Sequence, residues 1–367
     1  MRSVMLFPLV ALMTAGCNKD SFKPIFPTAD IDARVQAPGT VTMMTQNLYV
    51  GADVDAVIIA LGSADPNDDL PALLFAIETV GKTDFPARAS AIADKIAALG
   101  PHVVGLQEAS QLDIDLSGLG LPVVVHQDFV AILVAKLAER GLHYGVAAQV
   151  QNIVAAPLPG ISLVDHDVML VDLDRVTVTA SGGQNFTYNV GVVAPGIELK
   201  RGWVWADVTI DEIGDIGSAP YRFVSTHPEA DLAGNTFETL RWAQVGEIVA
   251  TQPADRPVVI MGDLNDAPGS LMYELLAGAG FTDSWRALRP GVIGYTCCEL
   301  SDLSNQLPAL DQRIDYVFTR GFGLSSAGAA GLRGQIDRFG DVPADRVAGA
   351  AYAVWPSDHA GLVATLR

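Results

Sequence analysis

An apolar, β-branched run that stops abruptly in Gly-Asp-Leu-Asn constrains this chain more than any other feature. Val258-Val259-Ile260-Met261 reads as a buried strand, and Gly262-Asp263-Leu264-Asn265 ends it ahead of a Pro268-Gly269 turn. Asp263 and Asn265 sit two apart, so in an extended chain they project to the same side. A carboxylate and an amide presented together at a strand end suit an activated water and a phosphoryl oxygen.

Other strand-like runs end in polar groups of matching chemistry. Val103-Val104-Gly105-Leu106 leads into Gln107-Glu108, and Phe223-Val224-Ser225-Thr226 leads into His227. Ser357-Asp358-His359 precedes the apolar stretch Ala360-Gly361-Leu362-Val363. Thr45-Gln46-Asn47-Leu48 and Arg313-Ile314-Asp315-Tyr316-Val317 complete the set. Any one of these is as common as a loop or a helix cap. Six in a fixed order are not.

That order resembles the endonuclease/exonuclease/phosphatase superfamily, which includes deoxyribonuclease I, abasic-site endonucleases, neutral sphingomyelinases and inositol polyphosphate 5-phosphatases. The resemblance covers roughly Val41 to Arg367. It implies a four-layer α/β sandwich, with two packed, mixed, largely antiparallel sheets flanked by helices. It implies a divalent metal, Mg²⁺ or Mn²⁺ by the hardness of its oxygen ligands. Glu108 is the first-choice ligand, with Asn47 and Asp358 beside it as direct or water-mediated ligands. Asp263 would orient or deprotonate the attacking water, and Asn265 would donate to a phosphate oxygen and help fix Asp263. His359 would donate to a non-bridging oxygen, oriented by Asp315. His227 would contact phosphate or assist the leaving group. Arg201, at the start of a strand, would also touch phosphate. Asp165-His166-Asp167 looks like a metal cluster, but neighbours in a strand point opposite ways; the stretch is read as a loop, at most a substrate contact.

The implied activity is metal-dependent phosphoester hydrolysis, first as a phosphodiesterase of nuclease or sphingomyelinase/phospholipase C type. A phosphomonoesterase acting on inositol or sugar phosphates is the alternative, as is a non-catalytic lipoprotein binding module. Substrates therefore range over nucleic acid, phospholipid and small phosphates. The net charge of −19 argues against long basic grooves and non-specific polyanion binding. A bound divalent cation still lets an acidic protein accept a phosphate.

Arg2 is followed by an apolar run from Val4 to Met13. The run is too short to span a bilayer as a mature helix and has the length of a signal-peptide core. Thr14-Ala15-Gly16-Cys17 resembles a bacterial lipoprotein cleavage site, departing from it at Thr14. The expected organisation is a signal peptide over 1–16, a lipidated Cys17 with a Pro-containing tether over 17–40, and one domain over 41–367. The protein would be an exported monomer, held at a periplasmic or cell-surface membrane by Cys17 rather than by a transmembrane helix. If signal cleavage is ordinary and Cys17 incidental, it would be secreted. Of the three cysteines, Cys297 and Cys298 are adjacent, which does not suit zinc. A vicinal disulfide and two loop thiols both fit them.

The 367 residues, half of them apolar, can build one large layered core. Val41 to Leu48 reads as the first strand. Pro86 to Leu99 reads as a helix, with Ile92, Ile96 and Leu99 on one stripe and Gly100-Pro101 as its stop. Helices are also expected over Phe129–Arg140, Thr236–Ala250 and Ser270–Ala279. The apolar stretch Leu70–Ile77 marks a short helix in a long connection over 51–85. Val168–Val171 and Val176–Thr179 read as strands paired with each other. Trp203 and Trp205 lie on one face of a strand to Ile210 and belong to the core. Strands and helices interleave, as in a layered α/β domain. The insertions at 51–85, 109–165 and 286–312 would wall the substrate pocket.

Overall fold

Strands and helices alternate in a computed structural model that describes residues 39–65, 67–211, 220–232, 234–322 and 332–367. The expected signal peptide, Cys17 and tether lie outside the described residues. Among the described residues no helix is long and apolar enough to cross a membrane. The strands are β1 (Val41–Asn47), β2 (Val103–Gln107), β3 (Gln111–Asp115), β4 (Val124–Asp128), β5 (Tyr144–Ala155), β6 (Ile161–Asp172), β7 (Val176–Asn185), β8 (Gly191–Ala194), β9 (Ile197–Leu199), β10 (Gly202–Ile210), β11 (Tyr221–Thr226), β12 (Val258–Asp263), β13 (Thr282–Asp283), β14 (Asp315–Arg320), β15 (Gly334–Phe339), β16 (Val347–Ala348), β17 (Ala353–Val354) and β18 (Gly361–Leu366). The helices are α1 (Val54–Leu61), α2 (Asp69–Thr83), α3 (Phe85–Leu99), α4 (Phe129–Ala138), α5 (Glu238–Thr251), α6 (Leu271–Gly278) and α7 (Ser284–Leu288).

Two large sheets result. The first runs β15-β18-β1-β2-β6-β5-β9-β8, with the β3–β4 hairpin attached to β6; the second runs β13-β14-β12-β11-β10-β7. Among the described residues, only β1–β2 and β11–β12 pair in parallel within them. The sheets face each other across an apolar core to which the first contributes Met43, Val103 and Met169 and the second Val204, Phe223 and Met261. Helices α5 and α6 cover the outer face of the second sheet through Val245, Ile248, Met272 and Leu276. Helices α3 and α4 pack together, with Phe85 stacked on Phe129. This is the four-layer sandwich that the motif order implies.

Register places the chemistry at one edge. Asn47 pairs with Gln107 across β1–β2, Thr226 with Gly262 across β11–β12, and Asp263 with Asp315 across β12–β14. Two glycines permit the close approach. A Cβ at Gly105 would stand 2.6 Å from Ser225 Oγ, and one at Gly262 (φ +147°) would stand 2.0 Å from the Thr226 carbonyl oxygen. Neither position has room for a side chain.

Two local readings change. The 51–85 connection holds two helices, α1 and α2, with Asp53 capping α1 by accepting from Ala56 N at 2.9 Å. Strands β6 and β7 are not partners: they sit in different sheets. Alternation marks a strand but not its neighbour, and the short turn between these two carries the chain from one sheet to the other. The strand over 103–108 ends one residue early, leaving Glu108 outside it.

Candidate active site

The site begins where strands stop. Tyr49, Glu108 and Asn265 follow β1, β2 and β12, and all three adopt left-handed backbone conformations, with φ of +57°, +53° and +52°. Non-glycine residues in that region carry a conformational cost and gather at functional sites. At Glu108 the turn brings the carboxylate back over β1. Its Oε1 accepts from Asn47 Nδ2 at 2.9 Å, and its Oε2 accepts from Val50 N at 3.0 Å.

Asn47 is fully buried. Its amide also donates to Asp263 Oδ2 at 3.2 Å, and its Oδ1 accepts from Tyr49 N at 2.9 Å. Asn47 thus joins two carboxylates from two sheets, and its oxygen also holds the chain after β1.

Asp263 and Asn265 do not reach the same side by strand alternation, because Asn265 lies beyond the strand in the left-handed region. A side-chain turn does the work instead, with Asn265 N donating to Asp263 Oδ1 at 2.9 Å. Asn265 Nδ2 donates to the Pro228 carbonyl at 3.1 Å, which fixes the loop behind His227. Burial pushes the Asp263 carboxyl up to about 6; His359 opposes that and Asp315 adds to it.

Two histidines flank Asp263. His359 Nε2 is 3.7 Å and His227 Nε2 is 3.5 Å from its Oδ2. His359 Nδ1 lies 2.8 Å from Asp315 Oδ2. Burial works against a charged His359, but Asp315, Asp263 and Asp358 outweigh it and hold the imidazole well above its ordinary value. His227 is the reverse. Burial, then the Arg201 charge, hold it well below. Arg201 Nε donates to the buried Glu229 at 3.1 Å.

Asp358 is half-buried beside this group, and burial pushes it up to about 7, with His359 opposing and Glu108 adding. Ser357 Oγ donates to the Asn47 carbonyl at 2.7 Å and accepts from His359 N at 3.1 Å, so the Ser-Asp-His segment is tied to β1.

All nine sequence-derived residues except Asn47 and Asp315 line one cavity of about 450 Å³; those two stand directly behind it. Its walls come from the three expected insertions, through residues such as Asp53, Leu163 and Glu299, and also from Ala230 and Asp231 after His227. Cys297 and Cys298 are joined to each other and form part of the wall near His359. Two residues that sequence reasoning missed support the centre. Glu229 anchors Arg201. Arg88, fully buried on α3, donates to the carbonyls of Leu48, Tyr49, Thr83 and Pro356. The available signal for Arg88 was its place on the apolar stripe of an otherwise regular helix. Asp165-His166-Asp167 is not a loop but the middle of β6, with both aspartates buried.

The donor set fits a hard divalent cation. Glu108 and Asp358 present carboxylates to the cavity, and Glu108 adds to the upward push on Asp358. Asp263, Asp315 and His359 form a second compact set of ligand atoms, within 4.8 Å of one another. There the His359–Asp315 hydrogen bond already occupies two of the groups, which leaves Glu108 and Asp358 as the better cation holders.

The sequence matches the Endonuclease/Exonuclease/phosphatase family over residues 44–359. No curated protein matches it. Among solved structures, the mannosyl-6-phosphatase Bt3783 of Bacteroides thetaiotaomicron VPI-5482 is similar at 14 % identity and a TM-score of 0.54, over 89 % of this chain and 99 % of that one. The catalytic domain of human Nocturnin with bound sulfate is similar at 15 % identity and a TM-score of 0.53, over 90 % and 93 %. An endonuclease/exonuclease/phosphatase from Bacteroides vulgatus is similar at 17 % identity and a TM-score of 0.53, over 89 % and 98 %. At these identities the structures bear on the fold alone.

Proposed function

The chain belongs to the Endonuclease/Exonuclease/phosphatase family, and from that premise we propose that this phosphoester hydrolase is a divalent-metal-dependent phosphodiesterase acting on a small substrate. The observation that carries the reading is the convergence of Glu108 and Asp358, Asp263, the His359–Asp315 pair and the His227–Arg201 pair on one cavity. A Mg²⁺ or Mn²⁺ ion held by Glu108 and Asp358 would neutralise phosphate charge and favour attack by water. Asp263 holds that water and accepts its proton, fixed by Asn47 and by the backbone of Asn265. His359, kept charged by Asp315, donates to a non-bridging oxygen as negative charge builds there. His227 and Arg201 contact the phosphate from the other side.

Charge supports a small diester. Among the described residues lining the cavity, Arg201 is the only Lys or Arg, against acids that include Asp53, Asp165, Asp231 and Glu299. A diester with one negative charge suits one guanidinium and one divalent cation. The successive phosphates of a nucleic acid would meet the acidic wall. A phosphomonoesterase is the second reading, favoured by a cavity of about 450 Å³ that suits a single sugar- or inositol-sized group.

The test is a substrate panel with Mg²⁺, Mn²⁺ or EDTA: bis-p-nitrophenyl phosphate, p-nitrophenyl phosphate, sphingomyelin vesicles, double-stranded DNA, RNA and an inositol polyphosphate. EDTA-sensitive cleavage of a diester supports the reading. Cleavage of monoesters alone moves the assignment to a phosphatase, and silence across the panel with a folded protein removes the catalytic reading. Membrane attachment through Cys17 remains part of the proposal; a Cys17→Ser chain that still fractionates with membranes would remove it.

A further inference from the structure

Six buried side-chain atoms without a hydrogen-bond partner gather on four residues around Arg201. They are Asn152 Oδ1 and Nδ2, Asp165 Oδ2, both carboxylate oxygens of Asp167, and Glu229 Oε2. Each of the four residues is at most 3 % exposed. Buried polar atoms are nearly always paired, so a cluster of unpaired ones marks a place where something else belongs.

The sequence explains why they meet. On β6, Asp165 and Asp167 are two apart and share a face. On β5, register runs from Gln151 opposite His166 to Val154 opposite Val164, so two residues, Asn152 and Ile153, stand against Asp165 alone. Such a bulge re-aims a side chain. Here it turns the Asn152 amide toward Asp167, where the contact opposes the upward push that burial gives that carboxyl. Ser110 Oγ donates to Asp165 Oδ1 at 2.9 Å and leaves its other oxygen free.

Charge is out of balance at this point. Arg201 is the shared cation: it donates to Glu229, and Asp165 and Asp167 act on it through space. With all three carboxylates ionised around one guanidinium, two negative charges would be in excess, and buried charge is retained only when it is compensated. A divalent cation supplies that amount, and two carboxylates with an amide oxygen are hard donors of the kind that Mg²⁺, Mn²⁺ or Ca²⁺ takes.

We propose that Asp165, Asp167 and the amide oxygen of Asn152 hold a divalent cation of their own behind Arg201, separate from the cation assigned to Glu108 and Asp358. Asp165 reaches the catalytic cavity, whereas Asp167 does not line it. The ion fixes the acids that fix Arg201, and so sets the position of His227. It is structural to the site and touches no substrate.

Counting Mn²⁺ bound to the full chain by electron paramagnetic resonance tests this. Wild type should bind two ions, Glu108→Gln one, and Glu108→Gln/Asp167→Asn none. Asn152→Leu should bind one fewer than wild type. Melting in EDTA guards against misfolding: Asp167→Asn should melt no lower than wild type, because it removes an unpaired buried charge while keeping the shape. Mn²⁺ should then raise the melting point of Glu108→Gln and leave that of the double variant unmoved. A Glu108→Gln chain that binds no Mn²⁺ overturns the proposal, as does an Asp167→Asn chain that binds as many ions as wild type. If Asp167→Asn loses an ion while Glu108→Gln loses none, this site stands and the catalytic-cation assignment falls instead.

Discussion

Arg201 Nη1 lies 3.2 Å from Nδ1 of the buried His227. A guanidinium only donates, so that ring nitrogen must accept, and the imidazole proton sits on Nε2. Nε2 faces Asp263 Oδ2 at 3.5 Å. His227 is therefore a neutral donor aimed at the reaction centre, while His359, paired with Asp315, is the cationic one. Opposite environments divide the two roles between residues of one type.

The tautomer can be read directly. In ¹⁵N-resolved spectra His227 should stay neutral, with its proton on Nε2, across the range of about pH 5–8 in which an ordinary histidine titrates. Replacing Arg201→Gln together with Glu229→Gln removes the guanidinium and the charge of the acid it donates to. The His227 pKa should then rise, because burial is left as the main force against its charge. A wild-type His227 that gains a proton in that range, or a double variant with an unchanged titration, would contradict the assignment.

The Asp315–His359 pair sets the pH profile. Activity should rise through about pH 6 as Asp263 ionises, well above the ordinary carboxylate range. It should persist on the alkaline side because His359 is held protonated. Asp315→Asn should lower turnover by about 10²–10⁴-fold. It should also move both limbs acidward, since Asp315 raises both groups. Stability follows the same linkage. A raised histidine contributes fully below its unfolded value of about 6.5 and loses that contribution as pH rises through its folded value. Denaturation midpoints of wild type and Asp315→Asn should therefore converge at alkaline pH. Limbs that stay in place in Asp315→Asn would detach this pair from catalysis.

Asn47→Ala separates bridging from ligation. The substitution frees Glu108 and Asp263 and leaves Tyr49 N–H without its acceptor. Stability should fall by about 1–3 kcal/mol for the stranded group. Metal affinity should weaken by about 10–100-fold, the usual effect of losing a group that orients ligands. Calorimetric titration with Mg²⁺ checks this; loss of all binding would make Asn47 a ligand after all.

The motif order made the site's membership legible because each polar residue stands at a strand end, where sequence signals are sharpest. Asp263, His227 and Glu108 could be found from apolar runs that stop. What sequence hid was geometry. The left-handed turn at Asn265 cannot be told from a continuing strand by residue spacing. The partition of β6 and β7 into different sheets leaves no trace in alternation. The Asp165-His166-Asp167 triplet reads as a loop in sequence because a buried carboxylate pair violates the usual strand pattern. Asn152, one strand away, gives no local hint of its partner.

Arg88 is the sharpest instance, and it yields a test of how the two halves of the site are joined. It is fully buried on α3, and its guanidinium donates to four backbone carbonyls. Two of these, Leu48 and Tyr49, follow Asn47, and Pro356 precedes Ser357-Asp358-His359. One side chain thus clamps both segments that deliver the Glu108 neighbourhood and the Asp358–His359 pair. Burial lowers the guanidinium to about 10, against the pull of Asp358, Tyr49 and Glu108, so it stays charged at neutral pH. Arg88→Met strands four carbonyls and removes a counter-charge from Asp358. It should destabilise the fold by about 3 kcal/mol or more, from unmade bonds at about 1–3 kcal/mol each. Arg88→Lys keeps the charge but loses the planar fork, so it should recover only part of that. Urea midpoints measure the first effect, and Mg²⁺ affinity of the folded fraction measures the second. If Arg88→Met kept both wild-type values, the segments after β1 and before β18 would have to be held by their own contacts, and α3 would be a cover for the sheet and no part of the site.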